Sequence, residues 1–493
     1  MSEAEERRHK LDRLLEAGAS PYRNRFPGPD QIAPLLERYA AFAPGDKSNE
    51  SYRVAGRVMI KREMGKATFL VLKDASGRIQ LYGNVNNLGQ EGYDAFRHLD
   101  IGDLIGVEGP VFRTRRGELS IEAHSFILLA KALLPLPEKW HGLTDVEIRY
   151  RQRYLDLIVN DDVHRAFYVR SRVLASLRRF MDVRGFIEVE TPIMQTIPGG
   201  ATARSFETHH NALDIDLYMR IALELHLKRL LVGGFDKVYE VGRIFRNEGI
   251  STKHNPEFTM MESQQAYGDY NDVMEMIEEL VAHIAQEVLG TLRVPWKGEE
   301  LDLTPPWPRH TLREVIGEYS GIDFMEYPER DALMEAVRRT FQERGLPITF
   351  DDSVSWGKLV DELQSNFVEP QLIQPAFIID YPLELSPLAR PKENDPALVE
   401  RFEGFIGGME VANCFSELTD PLDQRARFEE QAAQREAGDE EAGYVDEDFL
   451  SALEYGMPPS GGSGLGIDRL CMILTDSPSI RDVILFPLLR PEK

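Results

Sequence analysis

The sequence predicts an α+β chain: a small five-stranded β-barrel followed by a larger domain on a mostly antiparallel β-sheet flanked by helices. Three observations predict it. Residues 52–129 break into short β-rich runs separated by Gly- and Asp-containing turns. From about residue 165, helical stretches and strands follow one another in mixed order, with acidic residues near strand ends. The charge also divides: residues 1–145 hold 21 Lys+Arg against 20 Asp+Glu, leaving 36 against 62 of the totals 57 and 82 for residues 146–493. Two electrostatically different halves within 493 residues suit domains with different tasks. The acidic half repels polyanions, so nucleic acid would need a specific basic or aromatic site.

In chain order, residues 1–20 read as a polar amphipathic helix with Leu11, Leu14 and Leu15 on one stripe, and a Pro/Gly connector runs to about Asp46. The β-runs TFLVLKD, RIQLYG, DLIGVEGPVF and ELSIEAHSFILLA then suggest a closed barrel, for which the OB type is the commonest five-stranded solution. Such barrels stack bases on aromatic rings and read their edges with polar groups. Phe69, Arg78, Gln80 and Glu118 could serve, although Phe69 fits a core position equally well. PLPEKWHGL (135–143) reads as an ordered hinge. The domains expected are 1–45 (helix and connector), 46–135 (barrel), 136–164 (hinge) and 165–493 (the large domain).

Residues 170–184 place Val173, Leu174, Leu177, Phe180 and Met181 on one helical face, and GFIEVETPIM reads as a strand broken at Pro192. Residues 222–232 and 269–289 read as helices, VYEVGRIFRNE and EFTMMESQQAY as strands, and 421–448 as a solvated acidic surface. No run approaches the roughly 18 apolar residues a membrane-spanning helix needs. The charged N-terminus lacks the apolar stretch of a secretory signal, and two cysteines exclude a disulfide scaffold, so a reducing cytoplasm is expected.

Three constellations carry chemistry. In residues 238–267, strand alternation would turn Arg246 and Glu248 to one side, and Phe258, Met260, Glu262 and Gln264 to one face of the returning strand, with His254 in the loop between. A salt-bridged hairpin explains the same pattern. In residues 460–474 a Gly-rich stretch runs into a helix carrying Arg469, without a phosphate-loop signature; a helix arginine commonly forms a surface ion pair. In residues 402–418, Glu403 and Glu410 flank Gly407-Gly408, while Asn413, Phe415 and Glu417 share a strand face. Two converging carboxylates suit Mg²⁺, and they equally suit pairing with arginines.

Together these segments carry a resemblance. Arg246-Asn-Glu248 with the loop to His254-Asn-Pro-Glu-Phe258 resembles motif 2 of the class II aminoacyl-tRNA synthetases, GSGLGIDR ending at Arg469 resembles motif 3, and the helix with FIEVETPIM (about 172–194) resembles motif 1. HGLTDVEIRYRQRYLDLI, VETPIMQTIPGGATARSF, RNEGISTKHNPEFTMME and IRDVILFPLLRP are similar to the class II (class IIb) lysyl-tRNA synthetases, from about residue 52 to the end.

The resemblance implies formation of lysyl-adenylate from L-lysine and ATP, then transfer of lysyl to the 3′ end of lysine tRNA. It implies that Arg246 clamps the α-phosphate and the lysine carboxylate, that Phe258 and Arg469 sandwich adenine, that Glu248 meets the adenine amine and His254 the phosphate tail, and that Glu403 and Glu410 hold Mg²⁺. Arg246 and Arg469 are the catalytic residues so implied. For lysine it implies Glu224, with Gly200 nearby, at the α-amine, Glu417 at the ε-ammonium, and Glu262, Asn413 and Phe415 around them. Gln264 stands where the family usually has a tyrosine; its carbonyl can still accept from an ammonium. Ala412 and Cys414 are smaller departures. Phe69 would stack on the middle anticodon base, with Gln80, Glu118 and Arg78 reading edges. The barrel argues against the paralogue that modifies an elongation factor, which lacks it. A homodimer through motif 1 is implied as well. The alternatives are an aspartyl- or asparaginyl-type relative, or a synthetase-derived RNA-binding protein without catalysis.

Overall fold

A computed structural model describes residues 2–137, 143–352, 354–436 and 441–491. The chain forms two compact units, Met1–Thr144 and Asp145–Lys493. Part of the expected hinge, residues 138–142, lies outside the described residues.

The first unit opens with α1 (Glu3–Glu16), started by a capping box in which Ser2 and Glu5 satisfy each other's backbone N–H groups. The connector holds a further helix, α2 (Ile32–Arg38). Six strands follow: β1 (Lys47–Met64), β2 (Ala67–Lys73), β3 (Arg78–Asn84), β4 (Leu104–Arg113), β5 (Leu119–Glu122) and β6 (Ser125–Ala130), with α3 (Val85–Arg97) between β3 and β4. Pairing runs β1-β2-β3-β5-β4 and returns to β1, which closes a five-stranded barrel; β6 pairs with β4 and bridges to Tyr22 through Ala130. Long β1 serves both neighbours because its register shifts between Val58 and Ile60. Alternation turns Leu70, Leu72, Ile79 and Leu81 into the barrel core, leaving Phe69, Arg78 and Gln80 on the outer face.

The second unit begins with α4 (Val146–Arg151) and α5 (Arg153–Val159), which precede the long α6 (Asp161–Val183). Residues 145–164 were expected in the hinge but are built into this unit. Fully buried Arg153 holds Asp156 at 2.6 Å and the carbonyls of Arg481 and Leu485 at 2.7 and 3.0 Å. Short strands β7 (Ile187–Glu188), β8 (Met194–Gln195), β9 (Glu207–His210) and β10 (Ile215–Met219) lead to α7 (Glu224–Val232). The strand expected over 185–194 is thus only two residues long. Thr191 turns its N–H and hydroxyl to Glu240 at 2.9 and 2.7 Å, and Pro192 has no N–H to continue a ladder.

Next come β11 (Lys237–Phe245), β12 (Glu257–Ala266) and α8 (Tyr270–Leu289), then the hairpin β13 (Arg293–Trp296) and β14 (Glu299–Asp302). A helical layer follows β15 (Arg309–Thr311): α9 (Leu312–Ser320), α10 (Arg330–Arg344) and α11 (Trp356–Leu363). The chain then forms β16 (Ala376–Pro382), β17 (Leu398–Ile406), β18 (Met409–Ser416), α12 (Pro421–Glu436), α13 (Glu447–Glu454), β19 (Ser460–Gly466), α14 (Ile467–Thr475) and α15 (Ile480–Val483).

Eight strands make one sheet, in the order β15-β16-β17-β18-β19-β12-β11-β7, antiparallel except at its two outermost pairs. One core lies under α6, α8 and α14, where Val173, Leu177, Phe180 and Met181 meet Ile277, Leu280 and Val281. A second lies under α9–α11. A third joins α7 to α13. The stretch 421–448 is not simply a solvated surface: Gln424, Arg427 and Phe428 are buried, and Asp446 pairs with Arg229 of α7 at 2.8 Å.

Candidate active site

The central strands β12, β19 and β18 carry the floor of the site, and α7 closes one side. In β12, Met261 faces the helical core, while Phe258, Met260, Glu262 and Gln264 point the other way. Their neighbour β19 is Ser-Gly-Gly-Ser-Gly-Leu-Gly because the site crowds it. A Cβ on Gly462 would stand 1.9 Å from Glu417 Oε1 and 2.5 Å from Gln264 Nε2. Glycine here makes room for two polar groups rather than for a phosphate.

Those groups form a buried cluster. Gln264 Nε2 donates to Glu417 Oε1 at 2.5 Å, while Glu417 Oε2 lies 2.5 Å from the Lys228 ammonium. Lys228 donates to Glu224 Oε1, also at 2.5 Å, one helical turn back on α7. Glu262 Oε1 accepts the Leu223 N–H at 3.1 Å. Burial, and then the Glu224 charge, raise the Glu262 carboxyl to about 8. Burial also raises Glu224 and Glu417, against the pull of Lys228. For Lys228, burial disfavours the ammonium, but Glu224 and Glu417 outweigh it and lift the pKa above the ordinary lysine value. Among the described residues, buried Gln264 Oε1 has no hydrogen-bond partner. An acceptor in that state suits an incoming N–H donor.

Gly200 takes a left-handed φ of 87°, and a Cβ there would meet the Cβ atoms of Ala222 and Glu224 at 3.0 and 3.3 Å. Asn413 and Phe415 lie on β18. Asn413 Oδ1 accepts from Arg401 at 3.1 Å, and the Phe415 ring centre sits 5.4 Å from Lys228 Nζ. Arg246 donates to the Ile221 carbonyl at 3.3 Å and places its guanidinium 5.3 Å from the Phe258 ring centre.

Here the structure corrects the alternation argument. β11 ends at Phe245, so Arg246 and Glu248 are not on a strand. Arg246 makes one last rung to Pro256, and the Asn247 N–H then bonds Arg204, which turns the chain out of the ladder. Glu248 is left exposed in that loop.

A second group is brought together across motifs. Arg469, in the first turn of α14, reaches Glu410 at 3.0 Å, and His254 Nε2 lies 3.3 Å from its other arm. Because Nε2 faces a guanidinium it must accept, so Nδ1–H donates to Ser251 Oγ at 2.9 Å. The protein around it, then Arg469, hold His254 below the ordinary histidine pKa.

Glu403 and Glu410 stand beside the Gly407-Gly408 turn, whose φ angles of 63° and 74° suit glycine. Both pair with arginines. Arg401 meets Glu403 at 2.7 Å, and Glu403 also accepts from Tyr381 and Gln364 at 2.8 and 2.7 Å. Burial raises Glu403 to about 7, Arg401 opposing and Glu410 adding to the rise. Among the described residues no group of three or more His, Cys, Asp or Glu forms a ready metal cage. Two oxygen donors that sense each other's charge still fit a cation that takes one or two carboxylates and completes its shell with phosphate oxygens.

Several residues at the site escaped the sequence reading. Lys228 and Arg401 sit among ordinary-looking charged runs, LKRL and VERFEG. Asp468 escaped too: it is buried, pairs with Arg170 of α6 and accepts the Thr259 N–H of β12 at 2.6 Å. It therefore joins the three segments that resemble motifs 1, 2 and 3.

On the barrel, the Phe69 ring lies 5.2 Å from Tyr82 on β3, and Tyr82 lies 5.8 Å from Phe112 on β4. The single aromatic read from sequence is therefore one end of a row of three. Gln80 donates to Ser120 Oγ at 2.8 Å, Arg78 is exposed on the same strand face, and Glu118 is exposed in the turn before β5. Tyr82 and Phe112 carried a signal in the alternation of their strands, but alone they read as barrel packing.

Among the described residues no helix is long and apolar enough to cross a membrane. Residues 145–490 match the model of the class II tRNA synthetases (D, K and N), and residues 52–129 match that of the OB-fold nucleic acid binding domain. The chain is similar to curated proteins over almost its whole length. It is 57% identical to a lysine–tRNA ligase of Moorella thermoacetica, covering 99% of this chain and 97% of the relative. It is 55% identical to that of Pelotomaculum thermopropionicum, covering 99% and 94%, and 54% identical to that of Dehalococcoides mccartyi, covering 98% and 96%. With an OB-fold barrel ahead of a helix-flanked, mostly antiparallel sheet that unites the three motif segments, the chain belongs to the class II tRNA synthetases of the D, K and N group, within the lysine–tRNA ligase family.

Proposed function

We propose that this chain uses ATP to activate L-lysine as lysyl-adenylate and transfers the lysyl group to the 3′ end of lysine tRNA. The observation that carries the proposal is the set of three buried carboxylates, Glu224, Glu262 and Glu417, around one polar pocket beside Arg246. Lysine brings two ammonium groups, and a neutral or acidic side chain would leave a buried carboxylate uncompensated. That mismatch costs roughly 3–5 kcal/mol, or about two to three and a half decades of discrimination. Aspartate would add repulsion, which disfavours an aspartyl specificity.

The first step joins the lysine carboxylate to the α-phosphorus as pyrophosphate leaves. The carboxylate is ionised near neutral pH, so no general base is required. Arg246 orients the carboxylate and the α-phosphate, Phe258 and Arg469 flank adenine, and Glu248 and His254 take the adenine amine and the phosphate tail. Glu224, next to Gly200, takes the α-amine. Glu417 and the unpartnered Gln264 carbonyl take the ε-ammonium, with Asn413 and Phe415 lining the pocket. Glu403 and Glu410 would hold Mg²⁺, which neutralises phosphate charge when bound.

The barrel, about residues 46–135, would take the anticodon on Phe69, with Arg78, Gln80 and Glu118 at base edges. Exposed Tyr168, Val183, Ile187, Ile193, Met194 and Ile197 cluster on and after α6, an apolar surface suited to a C2 homodimer. A cytoplasmic location fits the two free cysteines. The test is ATP–pyrophosphate exchange with each of the twenty amino acids plus ornithine. Exchange with lysine alone is expected; no exchange with any amino acid would overturn the reading in favour of an RNA-binding protein without catalysis.

A further inference from the structure

We propose that Lys228 is a positioning residue of the amino-acid pocket, a resident counter-cation that favours the ionised forms of Glu224 and Glu417 and aligns them before lysine arrives. The inference rests on the lysine reading of this pocket and extends it to a residue with no place in the reaction so far.

Lys228 is fully buried, on a helix whose residues are all buried or half-buried. Its ammonium touches Glu224 and Glu417 at 2.5 Å each, so those carboxylates lie within about 5 Å of one another, close enough for strong mutual repulsion. The other groups facing the cluster do not replace it. Arg401 on β17 is committed to Glu403, and Arg220 to Glu240 at 2.5 Å. Arg246 faces Glu262 and Ile221, Gln264 is neutral, and Arg229 turns to Asp446. Among the described residues, β18 and α13 bring the rings of Phe415 and Phe449, 5.4 and 6.0 Å from the ammonium.

A buried ion pair is a poor source of stability compared with apolar packing. Its value here is the charge state of the pocket. Without Lys228, two adjacent buried carboxylates would share a proton, and lysine would have to displace that proton to bind. Each carboxylate turns one oxygen to Lys228, and the second oxygen of Glu417 accepts from Gln264, so the resident cation also fixes their spacing.

The experiment compares wild type with Lys228→Met and Lys228→Gln in lysine-dependent ATP–pyrophosphate exchange and in thermal melts, both from pH 6 to 9. Glutamine keeps hydrogen-bond donors and removes only the charge. In both variants the KM for lysine at pH 7 should rise at least 30-fold with kcat changed less than 5-fold. The acid limb of kcat/KM should move up by one pH unit or more. Their melting temperatures should approach that of wild type as pH falls, because protonation removes the repulsion. Rescue by glutamine, an unmoved acid limb, or a melting gap constant across pH would each overturn the proposal and leave Lys228 a packing residue. The melts decide the matter even if a variant is inactive. A wild-type enzyme without lysine-dependent exchange would instead break the functional reading while leaving the melt comparison valid.

Discussion

Replacing Glu417 with glutamine isolates the charge at the proposed ε-ammonium site. The carboxylate is 1% exposed, and its two oxygens hold Gln264 and Lys228 at 2.5 Å each. Glutamine keeps the shape and one acceptor, so what is lost is the ionic part of the contact with the substrate ammonium. At an effective dielectric constant near 20, unit charges about 3 Å apart attract by roughly 5 kcal/mol, and a neutral hydrogen bond restores about 1 kcal/mol. The remaining loss, roughly 3–5 kcal/mol, agrees with the measured range for breaking buried pairs. It corresponds to a fall of about two to three and a half decades in kcat/KM for lysine. Lys228 keeps Glu224 at 2.5 Å, so the fold should hold, which a melt of the same preparation checks. The assay is lysine-dependent ATP–pyrophosphate exchange at saturating ATP, with the KM for ATP followed alongside. A change of kcat/KM below threefold, with the protein folded, would refute the assignment of Glu417 to the lysine side chain.

Other predictions follow from the same geometry. Gly462→Ala should abolish most exchange activity, because its methyl would stand 1.9 Å from Glu417 Oε1, and should lower stability by about 1–3 kcal/mol in urea titration. Phe69→Ala should raise the KM for tRNA in aminoacylation by about 10- to 100-fold, the worth of one lost stack of roughly 1–3 kcal/mol, while lysine-dependent exchange stays unchanged. Glu262 has a folded-state pKa raised to about 8 from an ordinary value of 4.5, so the stability associated with its neutral form is complete below pH 4.5 and lost as pH rises through 8. The melting temperature of Glu262→Gln should therefore gain on that of wild type between those pH values. Asp468→Asn should lower stability by about 3 kcal/mol through its buried pair with Arg170, seen as a fall in melting temperature.

What was legible in the sequence was local. The Gly407-Gly408 hairpin, the alternation of β12 and the glycine-rich β19 each fit within a dozen residues, so periodicity and turn chemistry suffice. What was not legible needs partners far along the chain. Arg153 reads as one more charge in RYRQRYLDL, yet it is buried against carbonyls more than three hundred residues later, which is why residues 145–164 looked like a hinge. Arg246 looked like a strand residue because the ladder gives no local warning of its end; the competing bond from Asn247 to Arg204 decides it. Lys228 and Glu224 are visible as a helical i,i+4 pair, the commonest pattern of a solvated face. Only the third member, Glu417, just past the end of the distant strand β18, changes that reading.

That third member also bears on how the pocket rejects wrong substrates. Three carboxylates left bare would attract any cation, and their own repulsion would keep at least one of them protonated at neutral pH. With Lys228 inside, one carboxylate charge is compensated permanently, while burial raises both Glu262 and Glu417 to about 8, Glu417 against the pull of Lys228. The Gln264 carbonyl adds an acceptor to the pocket without adding a charge. On the proposed reading Arg246 would answer the substrate carboxylate and Glu224 the α-amine, contacts common to every amino acid. On that reading discrimination would be concentrated at Glu417 and Gln264, where a side-chain ammonium satisfies both groups, a methyl satisfies neither, and an amide brings N–H donors without the charge. Ornithine carries the same ammonium on a shorter stem, so it tests reach rather than charge. A Gln264→Tyr variant, which restores the residue usual in the family, should change the lysine-to-ornithine ratio while leaving the rejection of neutral amino acids intact. If that ratio is unmoved and neutral amino acids become substrates instead, charge selection resides in Gln264 and not in Glu417.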